Sequence, residues 1–115
     1  VIDTILTSWT EVVANRASHA DPDKRHAMEQ LMTLLNGALE ARGKVLLKLN
    51  VAEDRYDEVI AHLPSAKSPT VSRLASGGFA VESVVEKSTI NRVIPALRDA
   101  GATDLLEIPI SKIVH

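Results

Sequence analysis

Lys44-Val45-Leu46-Leu47-Lys48-Leu49-Asn50-Val51 is the stretch on which the fold turns. Val45, Leu47, Leu49 and Val51 point to one side of an extended chain, while Leu46, Lys48 and Asn50 point to the other. Successive side chains of a strand alternate between its two faces, so this is a strand with one apolar face. Downstream, Tyr56, Val59, Ile60 and Leu63 mark one face of a short helix from about Asp54 to His62, which Pro64 stops. Leu63 to Pro69 reads as a loop, Thr70 to Leu74 as a short strand, and Ser76-Gly77-Gly78 as a hairpin turn. Phe79 to Lys87 is a further strand, with Phe79, Val81, Ser83 and Val85 on one side. Ser88 or Thr89 is expected to cap a helix whose buried stripe is Ile90, Val93, Ile94 and Leu97, and which ends at Gly101. Pro95 is a misfit there, since an interior proline costs about 3 kcal/mol; it lies off the apolar stripe, where a kink or a late helix start could absorb it. Asp104 to Ile110 is a last strand, followed by a short tail, Ser111 to His115.

From Lys44 the order is strand, helix, strand, strand, helix, strand. This predicts an α+β fold of the ferredoxin-like βαββαβ kind, with four antiparallel strands and two helices on one face of the sheet. The other sheet face is left uncovered. On the first strand it carries Leu46, Lys48 and Asn50, half apolar, and such a face commonly meets a second subunit because large exposed apolar patches are rare on monomers.

Upstream, Asp21 is a good N-cap and Pro22 occupies the first helical position, where its missing N–H costs nothing. Met28, Leu31, Met32, Leu35, Ala38 and Leu39 follow at three- and four-residue spacing, and Gly43 stands where a left-handed C-terminal cap would fall. The pattern predicts a helix of about 20 residues, some 30 Å long. Gly37 weakens it by roughly 1 kcal/mol against alanine. Arg16 to Ala20 reads as a polar linker. Val1 to Arg16 is ambiguous: Ile2, Ile5, Leu6, Trp9, Val12 and Val13 fit a helical stripe, yet the density of β-branched residues and threonine suits a strand.

With 115 residues the chain is long enough for one domain and too short for two ordinary ones. Apolar residues make up 45% and charged residues 24%, which argues against disorder. No run approaches the roughly 18 to 20 uninterrupted apolar residues of a membrane span, so no membrane role is expected. Val1-Ile2-Asp3-Thr4 has no basic region before an apolar run, unlike a secretory signal, and the lack of a starting Met suggests a processed, trimmed or partial chain. There is no cysteine, which excludes disulfides, thiolate nucleophiles and the common zinc-finger sites and permits a cytoplasmic setting. Lys plus Arg is 13 against 15 Asp plus Glu, a net charge of −2, and the aromatics are Trp9, Tyr56 and Phe79. A nucleic-acid binder usually has a basic face or several stacking aromatics, so that class is not expected.

His19, His26, His62 and His115 show no metal-binding helical spacing, and scattered histidines are usually surface residues. Glu53, Asp54, Asp57 and Glu58 cluster at a helix start, where they complement the positive end of its dipole; that outweighs a metal site. Ser76-Gly77-Gly78 lacks the lysine and following helix of a phosphate cradle. No Ser/His/Asp set or carboxylate pair is recognisable from spacing. Ser65-Ala66-Lys67-Ser68-Pro69-Thr70 enters a strand end with a hydroxyl, small residues and a rigid proline, and the first strand ends near the amide of Asn50. An amide and a hydroxyl on neighbouring strands could bind a small zwitterion by directed hydrogen bonds, although an ordinary polar strand edge is the commoner meaning of such residues.

From Lys24 onward, roughly four-fifths of its length, the chain resembles the C-terminal regulatory domain of long-form ATP phosphoribosyltransferase. The resemblance rests on Leu39-Glu40-Ala41-Arg42-Gly43, on Leu63-Pro64-Ser65-Ala66-Lys67-Ser68-Pro69-Thr70-Val71, and on Ala100-Gly101-Ala102-Thr103-Asp104-Leu105-Leu106. Asn91 and Ile108-Pro109-Ile110-Ser111-Lys112-Ile113 also fit. The resemblance makes the first segment the last strand of a catalytic core, ending at Ala14-Asn15. It divides the chain into a strand and linker over 1–20, a connecting helix over 21–43, and a ferredoxin-like regulatory domain over 44–115.

The resemblance implies a part of a glycosyltransferase, the first enzyme of histidine biosynthesis, in which this domain binds L-histidine between neighbouring subunits of a hexamer for allosteric feedback inhibition. Carried over by position, Thr70 matches the effector-binding threonine, and Ala66, Val84 and Asp104 match lining positions. Asn50 falls where some relatives have an aspartate, which lowers the charge available for an ammonium group; Asp104, where relatives have a small residue, is a candidate source of that charge. Catalysis belongs to N-terminal domains, and nothing here resembles their phosphoribosyl-pyrophosphate loop, so this chain alone is expected to have no transferase activity. The implied partners are L-histidine, further copies of the chain through the open sheet face (dimer to hexamer), and the parent chain's catalytic domains, in the cytoplasm. No cofactor is expected in this segment, although the parent enzyme uses magnesium. Two other functions stay open: a purely structural assembly domain, and a stand-alone amino-acid sensor of the ACT type with the same fold.

Overall fold

Residues 11–64 and 68–115 are described by a computed structural model. They divide between two compact units, 1–33 and 34–115. The sequence segment 1–10, expected as a strand, lies outside the described residues, and residues 11–15 form no regular element.

In the first unit Arg16–Ala20 forms a short helix, α1, where the sequence suggested a linker. Its cause is Asn15, whose side-chain oxygen accepts from the backbone N–H groups of Ala17 (2.8 Å) and Ser18 (3.4 Å) and so satisfies two donors that a helix start leaves open. Helix α2, Pro22–Ala41, whose residues from Leu34 on belong to the second unit, starts as expected. Asp21 Oδ1 accepts from the N–H groups of Asp23 (3.0 Å) and Lys24 (3.3 Å). Its apolar stripe, however, is largely bare: Leu31 is 54% and Leu39 60% exposed, and among its described residues only Gly37 and Ala41 are buried.

The second unit holds a four-stranded antiparallel sheet of β1 (Lys44–Val51), β2 (Thr70–Arg73), β3 (Phe79–Glu86) and β4 (Thr103–Pro109), in the order β2-β3-β1-β4. Two helices complete it: α3, Tyr56–Ala61, entered through a 3-10 turn at Glu53–Arg55, and α4, Ile90–Ala100, entered through another at Lys87–Thr89. The arrangement is α+β and compatible with a ferredoxin-like fold. The alternation in β1 is realised residue by residue: Val45, Leu47, Leu49 and Val51 are buried, and Lys44, Leu46, Lys48 and Asn50 only partly so. The buried row joins Val81 and Val85 of β3 and is packed by Val59 of α3 and by Ile90, Val93 and Leu97 of α4. Tyr56 and Phe79 extend this core, ring centroids 4.9 Å apart, with the Arg73 guanidinium 5.1 Å above the Phe79 ring.

Thr89 takes the N-cap position of α4, as expected, but its side chain makes no capping bond to the helix. The Thr89 hydroxyl instead donates to the Glu86 carbonyl at 3.0 Å, and the 3-10 turn makes the entry. Pro95 sits inside α4 on its exposed side without ending the helix. Its missing N–H faces the Asn91 carbonyl, a loss that the four residues buried along the opposite stripe offset. Gly101 ends α4 at φ 119°, and the Ala102 N–H reaches back to the Leu97 carbonyl at 2.9 Å.

Candidate functional site

The site is built on the sheet face away from α3 and α4. Register fixes which residues share it, because directly opposed residues of antiparallel strands point the same way. One row runs Val84, Leu46, Ile108 across β3, β1 and β4. The next runs Thr70, Glu82, Lys48, Leu106 across all four strands. A third carries Ser72, Ala80, Asn50 and Thr103. The first two rows make a face with an apolar centre and one cross-strand charge pair, Lys48 Nζ to Glu82 Oε1 at 4.0 Å.

Over one end of this face lies a groove of about 790 Å³. Leu46, Val84 and Pro64 give it apolar walls, and Thr70 supplies a hydroxyl that can donate and accept. Glu82 and Glu86, two residues either side of Val84, line it as well. Its remaining rim is the end of α2 and the start of β1, where Glu40 and Lys44 pair at 2.8 Å, together with Ile113 and His115. The Lys44 ammonium bonded to it, with His115 adding, holds the Glu40 carboxyl below the usual carboxylate range. The same bond raises Lys44 above the ordinary lysine value. Three carboxylates against one ammonium make the groove acidic, so the geometry suits a small molecule with an apolar body and a positive charge.

Of the residues expected at the site, Thr70 and Val84 line the groove. Asn50 and Asp104 come together elsewhere on the same face, Asn50 Nδ2 donating to Asp104 Oδ2 at 3.2 Å. Asp104 holds a left-handed φ of 51° beside a break in the β1–β4 register between Lys48 and Asn50. The expectation that Asn50 and Thr70 lie on neighbouring strands is corrected by the strand order: β3 lies between their strands, because the chain inserts its hairpin partner there. Ala66 lies outside the described residues. Sequence reading missed Glu82 and Glu86, although the two-residue period through Val84 would have found them. It also missed Glu40, Ile113 and His115, which no local pattern marks.

Among the described residues no group of three His, Asp or Glu side chains stands where it could hold a metal ion. No helix among the described residues is long and apolar enough to cross a membrane.

Residues 41–112 match the family described as HisG, C-terminal domain. Curated relatives named ATP phosphoribosyltransferase align with 99% of this chain. Those of Pelotomaculum thermopropionicum, Solibacter usitatus and Prosthecochloris aestuarii are 46%, 44% and 41% identical to it. The alignments cover only 40%, 40% and 39% of those relatives, so the chain spans about two-fifths of their length. A four-stranded sheet with one bare, grooved face and a family match over most of its length place this chain in the HisG C-terminal domain family.

Proposed function

We propose that this chain is a regulatory module of ATP phosphoribosyltransferase, in the cytoplasm, and that it binds L-histidine in the groove lined by Thr70 and Val84. The observation that carries the reading is that these two residues, on the paired strands β2 and β3, line one acidic groove on the bare sheet face. A ligand with an ammonium group, a carboxylate and a small ring matches its mixed lining. The pair of Asn50 and Asp104 offers a further carboxylate on the same face, at the strand ends next to which a neighbouring subunit would complete the pocket. Binding regulates only if one quaternary arrangement takes the ligand better than another, and coupling of about 1–3 kcal/mol is typical. The chain is then a feedback sensor in histidine biosynthesis without transferase activity of its own, serving the catalytic domains of its parent enzyme.

Titration calorimetry with L-histidine tests this directly. Saturable heat at submillimolar to millimolar ligand supports it, and none up to 10 mM in an oligomeric sample, on the order of the weakest affinities considered, refutes it. ATP-dependent pyrophosphate release by the pure chain would refute the non-catalytic assignment.

A second reading, assembly alone, is favoured by a specific feature: Leu106, Val84 and Ile108 are 52%, 43% and 36% exposed on the bare face. Such a patch fits subunit contact toward a hexamer. Sedimentation separates the readings, since only the sensor has its association altered by histidine. A free-standing ACT-like sensor would bind the ligand with no dependence on the catalytic domains.

A further inference from the structure

Gly37 stands in the interior of α2, where alanine would favour the helix. The reason is a crossing chain. The Ile113 N–H donates to the Gly37 carbonyl at 2.9 Å, and a side chain at position 37 would bring its Cβ to 3.0 Å from Val114 Cγ2 and 3.3 Å from the Ile113 carbonyl oxygen. One turn further along α2, His115 Nε2 lies 3.4 Å from Glu40 Oε1, and Glu40 also holds Lys44. The segment thus touches α2 at two successive turns. Ile113 and His115 at the same time line the groove that contains Thr70 and Val84.

We propose that Lys112–His115 is a strap that forms one wall of the effector groove, docked on α2 through the gap at Gly37, so that ligand binding and strap docking reinforce each other. Gly37 acts here as a positioning residue: it touches no ligand, and its lack of a side chain lets the strap lie close enough for Ile113 and His115 to face the groove. The inference rests on the effector reading of that groove. Its physical content is linkage: a ligand that contacts the docked strap stabilises docking by the factor by which docking improves affinity.

Gly37→Ala separates local from tertiary effects, because it strengthens the helix while pushing the strap away. Two readouts apply to the intact chain: amide hydrogen exchange at Ile113 without ligand, and the Kd for L-histidine by calorimetry. In the wild type, histidine should slow Ile113 exchange. In Gly37→Ala, helical circular dichroism is kept, Ile113 exchange speeds by about tenfold or more, and Kd rises by about tenfold. Adding Val114→Ala, which removes the nearest obstructing methyl, should return both toward wild type. His115→Ala, at an exposed position, should give a smaller loss of affinity. Unchanged Ile113 exchange in Gly37→Ala would overturn the docking, and faster exchange with unchanged Kd would overturn the strap's place in the site. If the wild type binds no histidine, the effector reading and the coupling fall together, while the exchange readout still decides whether the strap docks at Gly37.

Discussion

Gly77 and Gly78 are adjacent, both at positive φ (94° and 83°), and differ in what surrounds them. A Cβ at Gly77 would meet nothing within 4 Å, whereas one at Gly78 would lie 2.5 Å from the Val51 carbonyl oxygen and 3.3 Å from Ala52 Cα. Alanine at either position carries the cost of a left-handed backbone, about 1–2 kcal/mol. At Gly78 it also forces backbone away from backbone, and overpacking of this kind adds about 1–3 kcal/mol. Gly77→Ala should therefore cost about 1–2 kcal/mol and Gly78→Ala about 2–5 kcal/mol. In a domain of 60–100 residues each kcal/mol lowers Tm by roughly 4–8 °C. The turn spans Leu74 to Gly78, with the Leu74 N–H donating to the Gly78 carbonyl at 3.0 Å, and it carries β2 and thus Thr70. Gly78→Ala should accordingly also weaken histidine binding more than Gly77→Ala does. Urea unfolding followed by circular dichroism, at one protein concentration, measures the pair. Equal losses for the two variants would refute the close approach of the turn to the end of β1.

Leu97→Ala empties a fully buried site between α4 and the sheet and should cost about 2–5 kcal/mol in the same unfolding assay. Thr70→Ala alters an exposed edge position, so stability should hold while calorimetry shows histidine binding weakened by about 0.5–1.5 kcal/mol, roughly two- to tenfold. Glu40 has a depressed pKa in the folded chain, so its contribution is present above the unfolded carboxylate value and is lost as pH falls through the folded one. Side-chain carboxyl NMR should show Glu40 titrating below an ordinary glutamate in the wild type and moving up toward it in Lys44→Ala; an unmoved midpoint would deny the Lys44 bond its leading part.

Where the chain's own neighbours set the structure, sequence was enough. The alternation of Lys44–Val51 specifies which side of β1 is buried, since a one-residue slip would expose all four core side chains. Asp21-Pro22 starts α2 and Gly101 ends α4 through bonds that span only a few residues. What escaped depends on contacts between distant segments. Gly37 looks like a defect until Ile113 is laid across it, and the bond from Asn50 to Asp104 spans 54 residues. The strand order that separates Asn50 from Thr70 follows from where the β2–β3 hairpin inserts, which periodicity leaves undetermined. The stripe of α2 was legible as helical, but periodicity reports only that a face is apolar and not that this chain covers it. Family resemblance picked out Thr70 and Val84 together, but not the carboxylates around them, which come from β3 and from the end of α2.

Val84 is where the two proposed roles of that face meet. It lines the groove, and it is also 43% exposed in the row that runs through Leu46 to Ile108. A ligand seated against Val84 and a subunit packed on the same row draw on one surface, so neither can be indifferent to the other. If the incoming subunit leaves the groove open and adds contacts to the ligand, histidine tightens the assembly; if it needs the Val84 surface bare, histidine loosens it. The sign is set by whether the groove end of the face, with Glu82 and Glu86, or the Leu106–Ile108 end carries the subunit contact. Exposure favours the latter: Leu106 and Ile108 lie outside the groove lining and are the apolar residues a neighbour could cover without closing it. On that reasoning histidine should strengthen association in sedimentation, and Leu106→Lys should weaken the assembly first and effector affinity only in consequence.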